Sequence, residues 1–200
     1  NSVRATKTAL QLADIVVTEA GFGADLGAEK FMDIKCRLAG LMPDCIVLVA
    51  AIRALKYHGG ADKDSLTKED TESLRKGLSN LARHIDNIRG VWNLPVTVAI
   101  NHFISDTESE TEIVRAFAAE KGVNASFTEV WGKGGEGGLD LADSVLSLLE
   151  TEAHGTFTYP DDLSLRGKIE AVAKRIYGAD GVDFAAGVIT KLKKAEKEGY

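Results

Sequence analysis

The stretch TEVWGKGGEGG at residues 128–138 sets one tryptophan, Trp131, ahead of a glycine-rich loop that carries a single lysine, Lys133, and a single glutamate, Glu136. Glycines let backbone N–H groups approach a ligand closely, and an aromatic ring at the rim offers a flat face to a planar heterocycle. Phe103, in NHFISDT, can supply the second face of such a sandwich. The competing role for both rings is to plug the end of a sheet as core aromatics. Asn101 stands five residues before Asp106, which echoes the Asn-plus-Asp loops that read the edge of a base. An Asn at a strand end also serves as a turn residue that bonds its own backbone.

Two further segments carry groups suited to ions. Glu19, in VVTEAGFG, can reach a magnesium ion through water, with Gly21 and Gly23 keeping the approach open; a surface or capping glutamate is the alternative. Arg53, Lys56 and the pair Gly59–Gly60 lie in AIRALKYHGG. A guanidinium and an ammonium are natural partners of anionic oxygen, and solvated cations on a helix face are the alternative.

These groups need a scaffold that gathers loop ends, and the hydropathy pattern supplies one. Short β-branched runs alternate with longer runs of helical period, the signature of βα units around a parallel sheet. Strands are expected at Asp14–Thr18, Cys45–Ala50, Val96–Ile100 and Ala125–Thr128. Leu74, Leu78, Leu81, Ile85 and Ile88 predict a helix over Thr67–Asn87, with Thr67 as its cap. Thr107 and Glu110 read as a capping box ahead of Ile113, Val114 and Phe117. After the glycine loop, Leu141, Val145, Leu148 and Leu149 share one helical face. Thr151–Asp162 is polar, with Gly155 and Pro160, and reads as a linker to two docked helices. The expected fold is α/β, a parallel sheet flanked by helices with a C-terminal helical extension. Residues 1–150 form the α/β part and residues 151–200 the linker and docked helices. Ligands of open parallel sheets bind at the carboxyl ends of the strands, and each candidate segment follows an expected strand.

Composition excludes several classes. The chain has 200 residues, 24 basic and 30 acidic, for a formal charge of -6, without a run of Lys or Arg able to track a phosphate backbone. That argues against a nucleic-acid partner. No apolar stretch approaches the roughly 20 residues of a membrane helix, and no basic-then-apolar leader is visible, so no membrane partner and a cytoplasmic location are expected. Cys36 and Cys45 lack Cys or His at ligand spacing, which points to two reduced, buried thiols, and no residue set suggests a metal site. No G-x-x-x-x-G-K-[ST] phosphate loop occurs; GKGGEGG has the glycines without the lysine at a helix entry.

VAAIRALKYHGG, with VVTEAGFGADLGAEKF, AINHFISDTESE, EVWGKGGEGG and IYGADGVDF, closely resembles the formate–tetrahydrofolate ligase family, in order and through essentially the whole chain. The departures are Ala51 where the family usually has Thr, His102 where a longer base is common, Phe127 where Leu is usual, and Gly132 where Ala is usual. The resemblance implies a phosphate-loop NTPase-like α/β fold and a homotetramer. It implies ATP-driven activation of formate to formyl phosphate, then attack by a tetrahydrofolate nitrogen to give 10-formyltetrahydrofolate. Magnesium with the nucleotide and a monovalent cation, K+ or NH4+, follow from it too. Phe103 and Trp131 match the family's aromatic pair at the adenine or pterin ring, and Phe127 matches an adjoining apolar position, which favours stacking for Trp131. The family's phosphate loop and formyl phosphate residues would precede Asn1, so the chain is expected to be a central fragment, inactive alone. A non-catalytic nucleotide- or folate-binding module is the alternative from another class, and an oligomerisation domain is a third.

Overall fold

β-branched runs become strands where a neighbour takes up their backbone hydrogen bonds, and three of the four expected runs find one. In the computed structural model, which describes residues 2–200, β1 (Ile46–Ala50), β2 (Val96–Asn101) and β3 (Ala125–Thr128) form a parallel sheet in the order β1-β2-β3. The central strand is covered on both faces: Val98 and Ile100 on one and Thr97 and Ala99 on the other are all buried. β1 is an edge strand, and Val47 and Val49 on its outer face are 36% and 63% exposed. The fourth run, Asp14–Thr18, is not a strand. Its apolar Val17 is 86% exposed, so neither burial nor a ladder offsets the entropy of ordering it.

The helices in chain order are α1 (Ser2–Ala9), α2 (Gly27–Lys30), α3 (Arg37–Ala39), α4 (Ile52–His58), α5 (Thr71–Asp86), α6 (Glu108–Glu120), α7 (Val130–Lys133), α8 (Leu139–Leu149), α9 (Leu165–Arg175) and α10 (Val188–Lys197). A π-helical turn, Phe31–Cys36, joins α2 to α3. α5 buries Leu74, Leu78, Leu81 and Ile85, as its period requires. It is capped by Asp70, not by Thr67: Asp70 Oδ1 accepts the Ser73 N–H at 2.9 Å. The carboxylate is the better cap, and its own N–H is engaged elsewhere, which fixes the start of the helix there. α6 has the expected capping box of Thr107 and Glu110.

By contact the chain divides into two units, Pro43–Gly155 and residues up to Met42 together with Thr156–Tyr200. The first holds the sheet and α4 to α8. Its α4 and α5 touch backbone to backbone: a Cβ on Gly77 would lie 1.8 Å from the Leu55 carbonyl oxygen, and one on Gly59 1.7 Å from that of Ser73. Trp92 is fully buried in this unit.

The second unit is organised around Asp33, whose side chain is buried. Asp33 Oδ1 accepts the Thr158 N–H at 2.8 Å and Arg37 Nη2 at 3.2 Å. The same Arg37 donates to the Tyr159 carbonyl at 2.7 Å and lies over the Phe157 and Tyr159 rings. α9 and α10 pack on one another, with Glu196 Oε1 accepting the Leu165 N–H at 2.8 Å. Thr151–Asp162 is therefore not a loose linker throughout: from Thr156 on it is built into this unit, and Thr158 is fully buried. The thiols are free; Cys36 is buried, which pushes it up to about 11, whereas Cys45 is only half-buried. Among the described residues no helix is long and apolar enough to cross a membrane.

The α4–α5 contact leaves no room for a methyl group. Gly77→Ala is expected to destabilise the chain by about 1–3 kcal/mol, the usual cost of overpacking. It should appear as a lower urea midpoint at unchanged slope; an unchanged midpoint would show that the two backbones are not in contact.

Candidate functional site

The register makes the three strands finish level. Ala50 pairs with Ile100, and Asn101 with Thr128. Arg53 then comes three residues past the end of β1, Phe103 two past β2, and Trp131 three past β3. Phe103 and Trp131 thus lie on neighbouring strand ends at the same carboxyl edge, together with Arg53.

Trp131 sits in α7, the single turn that follows β3, and is 58% exposed, while Trp92 takes the core position. Its Nε1–H donates to the His102 carbonyl at 2.9 Å. The polar edge of the indole is therefore anchored to the end of β2 and the aromatic face is left to make contacts. The following Gly134–Gly138 folds as a 3-10 turn. Two of its glycines are required by geometry. Gly134 has φ of 60° and ψ of -143°, a conformation that a side chain resists, and a Cβ on Gly137 would lie 2.6 Å from the Glu129 carbonyl. A Cβ on Gly132, Gly135 or Gly138 would meet nothing, so these three are not required by packing.

Phe103 is half-buried in the loop between β2 and α6. Asp106 closes that loop: its Oδ2 accepts the Phe103 N–H at 2.9 Å, and its own N–H donates to the Phe103 carbonyl at 2.8 Å. Asp106 is thus committed to holding Phe103, although its Oδ1 is buried without a partner. Asn101 ends β2 half-buried, and its amide makes no hydrogen bond among the described residues, so its donors and acceptor remain available. The Arg53 guanidinium lies 3.8 Å from the Phe103 ring centroid.

Phe127 is half-buried on β3, and its nearest ring partner is His102, at 4.5 Å between centroids and 40° between planes. His102 Nδ1 lies 3.5 Å from Glu129 Oε1, and Lys133 Nζ donates to Glu129 Oε2. The hydrogen bond from Lys133 and the charges of Lys133 and His102 hold the Glu129 carboxyl below its ordinary value. Lys133 is thereby occupied, while Glu136 is exposed.

Lys56, expected beside Arg53 as a cation for anionic oxygen, is instead fully buried. Its Nζ donates to Glu110 Oε1 and to the Lys68 carbonyl, both at 2.8 Å. Glu110 Oε1 also accepts the Asp70 N–H at 3.0 Å, and Oε2 accepts the Thr107 N–H at 3.1 Å. Burial pushes the Glu110 carboxyl up, but these hydrogen bonds and the Lys56 charge outweigh it and hold the group below its ordinary 4.5. Lys56 is a structural cation because a carboxylate of matching burial meets it.

Glu19 is exposed and belongs to the other unit, in a stretch without regular structure. Among the described residues no group of three or more His, Cys, Asp or Glu is placed to hold a metal ion. A concavity of the sheet unit lies away from these residues, at the amino end of β2, between Asp86, Arg89, Asn93, Pro95 and His154.

Comparison with known proteins agrees with the motifs. Residues 1–200 match the family model described as formate–tetrahydrofolate ligase. A curated formate–tetrahydrofolate ligase of Symbiobacterium thermophilum is 55% identical over 200 residues, covering 100% of this chain and 36% of the relative. The chain therefore spans about a third of the length of that relative.

The Lys56–Glu110 pair sets a pH dependence. A carboxyl whose folded value is depressed stabilises the fold above its unfolded value, and this contribution is lost as pH falls through the folded one. Urea unfolding should therefore show stability falling below pH 4.5, the ordinary value of the group. Glu110→Gln, which leaves Lys56 buried and unpaired, should cost about 3–5 kcal/mol at neutral pH and flatten that acid slope. Parallel acid slopes in the two proteins would show that Glu110 does not titrate as described.

Proposed function

The chain belongs to the formate–tetrahydrofolate ligase family, and on that premise we propose that these residues are the ring-binding part of an ATP-dependent carbon–nitrogen ligase. The reaction activates formate as formyl phosphate and transfers the formyl group to a tetrahydrofolate nitrogen, giving 10-formyltetrahydrofolate. The observation that carries this reading is the exposed Trp131, anchored by its N–H beside Phe103 at the carboxyl edge of the sheet. A tryptophan kept out of the core and turned into a platform is suited to stacking a planar ring, adenine or pterin. Phe127 backs His102 from β3, and the free amide of Asn101 offers edge contacts.

In this reading the residues contribute binding and orientation. A nitrogen nucleophile and a carbonyl held at near-attack distance react as one molecule, and fixing a ring fixes the nitrogen it carries. ATP is the proposed cofactor, with Mg2+ and a monovalent cation, K+ or NH4+; Mg2+ bound with a nucleotide takes most of its oxygens from phosphate and water. Its charge would neutralise the phosphates being transferred. A homotetramer and a cytoplasmic location complete the proposal.

Two outcomes test it. Trp131→Ala, in the intact ligase that carries these residues, should weaken ring binding by about 1–3 kcal/mol, a loss of roughly tenfold or more by calorimetry, without lowering the melting temperature. Unchanged affinity with a collapsed melting temperature would make Trp131 a core residue instead. The 200 residues alone, which contain no phosphate-loop motif, should form no ADP or formyl product from ATP, magnesium, formate and tetrahydrofolate. Turnover above a Trp131→Ala control would overturn that expectation.

A further inference from the structure

We propose that Arg53 is the anion-binding residue of this edge: its guanidinium, seated on Phe103, bonds the phosphate or carboxylate of the ligand whose ring stacks at Trp131. The inference rests on the ring-site reading above and adds a residue and a charge requirement to it.

Arg53 is half-buried, and its guanidinium carbon lies 3.8 Å from the centroid of Phe103. Among the described residues it has no hydrogen bond and no ion pair. Acidic residues outnumber basic ones by 30 to 24, and many surface cations do find a carboxylate: Lys76 pairs with Glu72, Lys121 with Asp86, Lys133 with Glu129 and Arg166 with Glu170. A guanidinium resting on a ring keeps its N–H donors in its own plane, free to bond an oxygen alongside, and those donors fork to match phosphate or carboxylate.

Its placement is determined by the fold. Arg53 lies in the first turn of α4, whose position is set by the backbone contact with α5 and by the buried Lys56–Glu110 pair one turn on. Phe103 is held by both halves of the Asp106 loop closure. A cation and a ring, each fixed from behind, meet at the edge where Trp131 offers a second ring. Lys56 and Lys133 are both committed to carboxylates, whereas the Arg53 guanidinium, stacked closely on Phe103, is not.

The test uses the intact ligase carrying these residues, with Arg53→Met, Arg53→Lys and Trp131→Ala beside the wild type. Calorimetry measures four probes: ATP and adenosine, tetrahydrofolate and 6-methyltetrahydropterin. Arg53→Met should weaken the charged member of a pair by tenfold or more and leave its uncharged counterpart within twofold. Arg53→Lys should recover part of the loss. A loss confined to ATP identifies the anion as phosphate, and one confined to tetrahydrofolate identifies it as the glutamyl carboxylate. Charged and uncharged probes weakened alike would overturn the inference, because Arg53 would then only prop the Phe103 ring. If Trp131→Ala abolishes binding while Arg53→Met changes nothing, the ring site stands and the role of Arg53 falls. If the wild type binds none of the four, both fall together.

Discussion

The buried ion pair between Lys56 and Glu110 is the constraint on which the carboxyl edge of the sheet depends. Two charges taken out of water are costly, and their attraction repays the cost only when every remaining donor and acceptor is satisfied. Here that condition fixes geometry. Glu110 must face Lys56 from α4, the Asp70 N–H at the start of α5 and the Thr107 N–H at the start of α6 simultaneously. One carboxylate thus ties together the beginnings of two helices and the body of a third. The loops that follow β1 and β2 are attached to those helices, so they inherit a common reference point. The pair's value lies in specifying where the loops leave the sheet more than in net stability.

Around that point, the edge is assembled from strand ends that finish level and groups that each come two or three residues later. Rigid parts sit behind and open parts in front. The Asp106 closure and the α4–α5 backbone contact are unyielding, while Trp131 stays exposed to solvent. A ligand entering such an edge meets preset faces and pays little to order them, which is how preorganisation raises affinity without added contact area.

Much of this was legible in the sequence, and the misses share a physical cause. β2, β3, the α6 capping box and the burial periodicity of α5 are local patterns, and they are observed as expected. The carboxyl-edge placement of Phe103 and Trp131 followed because each is close in sequence to a strand end. The misses depend on partners far along the chain. Lys56 reads as a solvated cation unless Glu110, 54 residues away, is known to meet it. Asp14–Thr18 has the composition of a strand, but pairing depends on a neighbour that composition does not reveal. Thr158 looks like linker sequence until Asp33, 125 residues earlier, accepts its N–H. Glu110 was visible as a cap, yet its second role as a counter-ion left no local trace.

The exposed flank of β1 carries a hazard of its own. Strand addition needs an unpaired row of N–H and C=O groups, and the Ile46–Ala50 edge presents one with no charge or proline within the run to discourage it. Val47 and Val49 on its outer face add apolar contact to whatever docks there. β3 is an edge as well, but it is shorter, and the longer β1 with its exposed valines is the better template for a strand from another molecule.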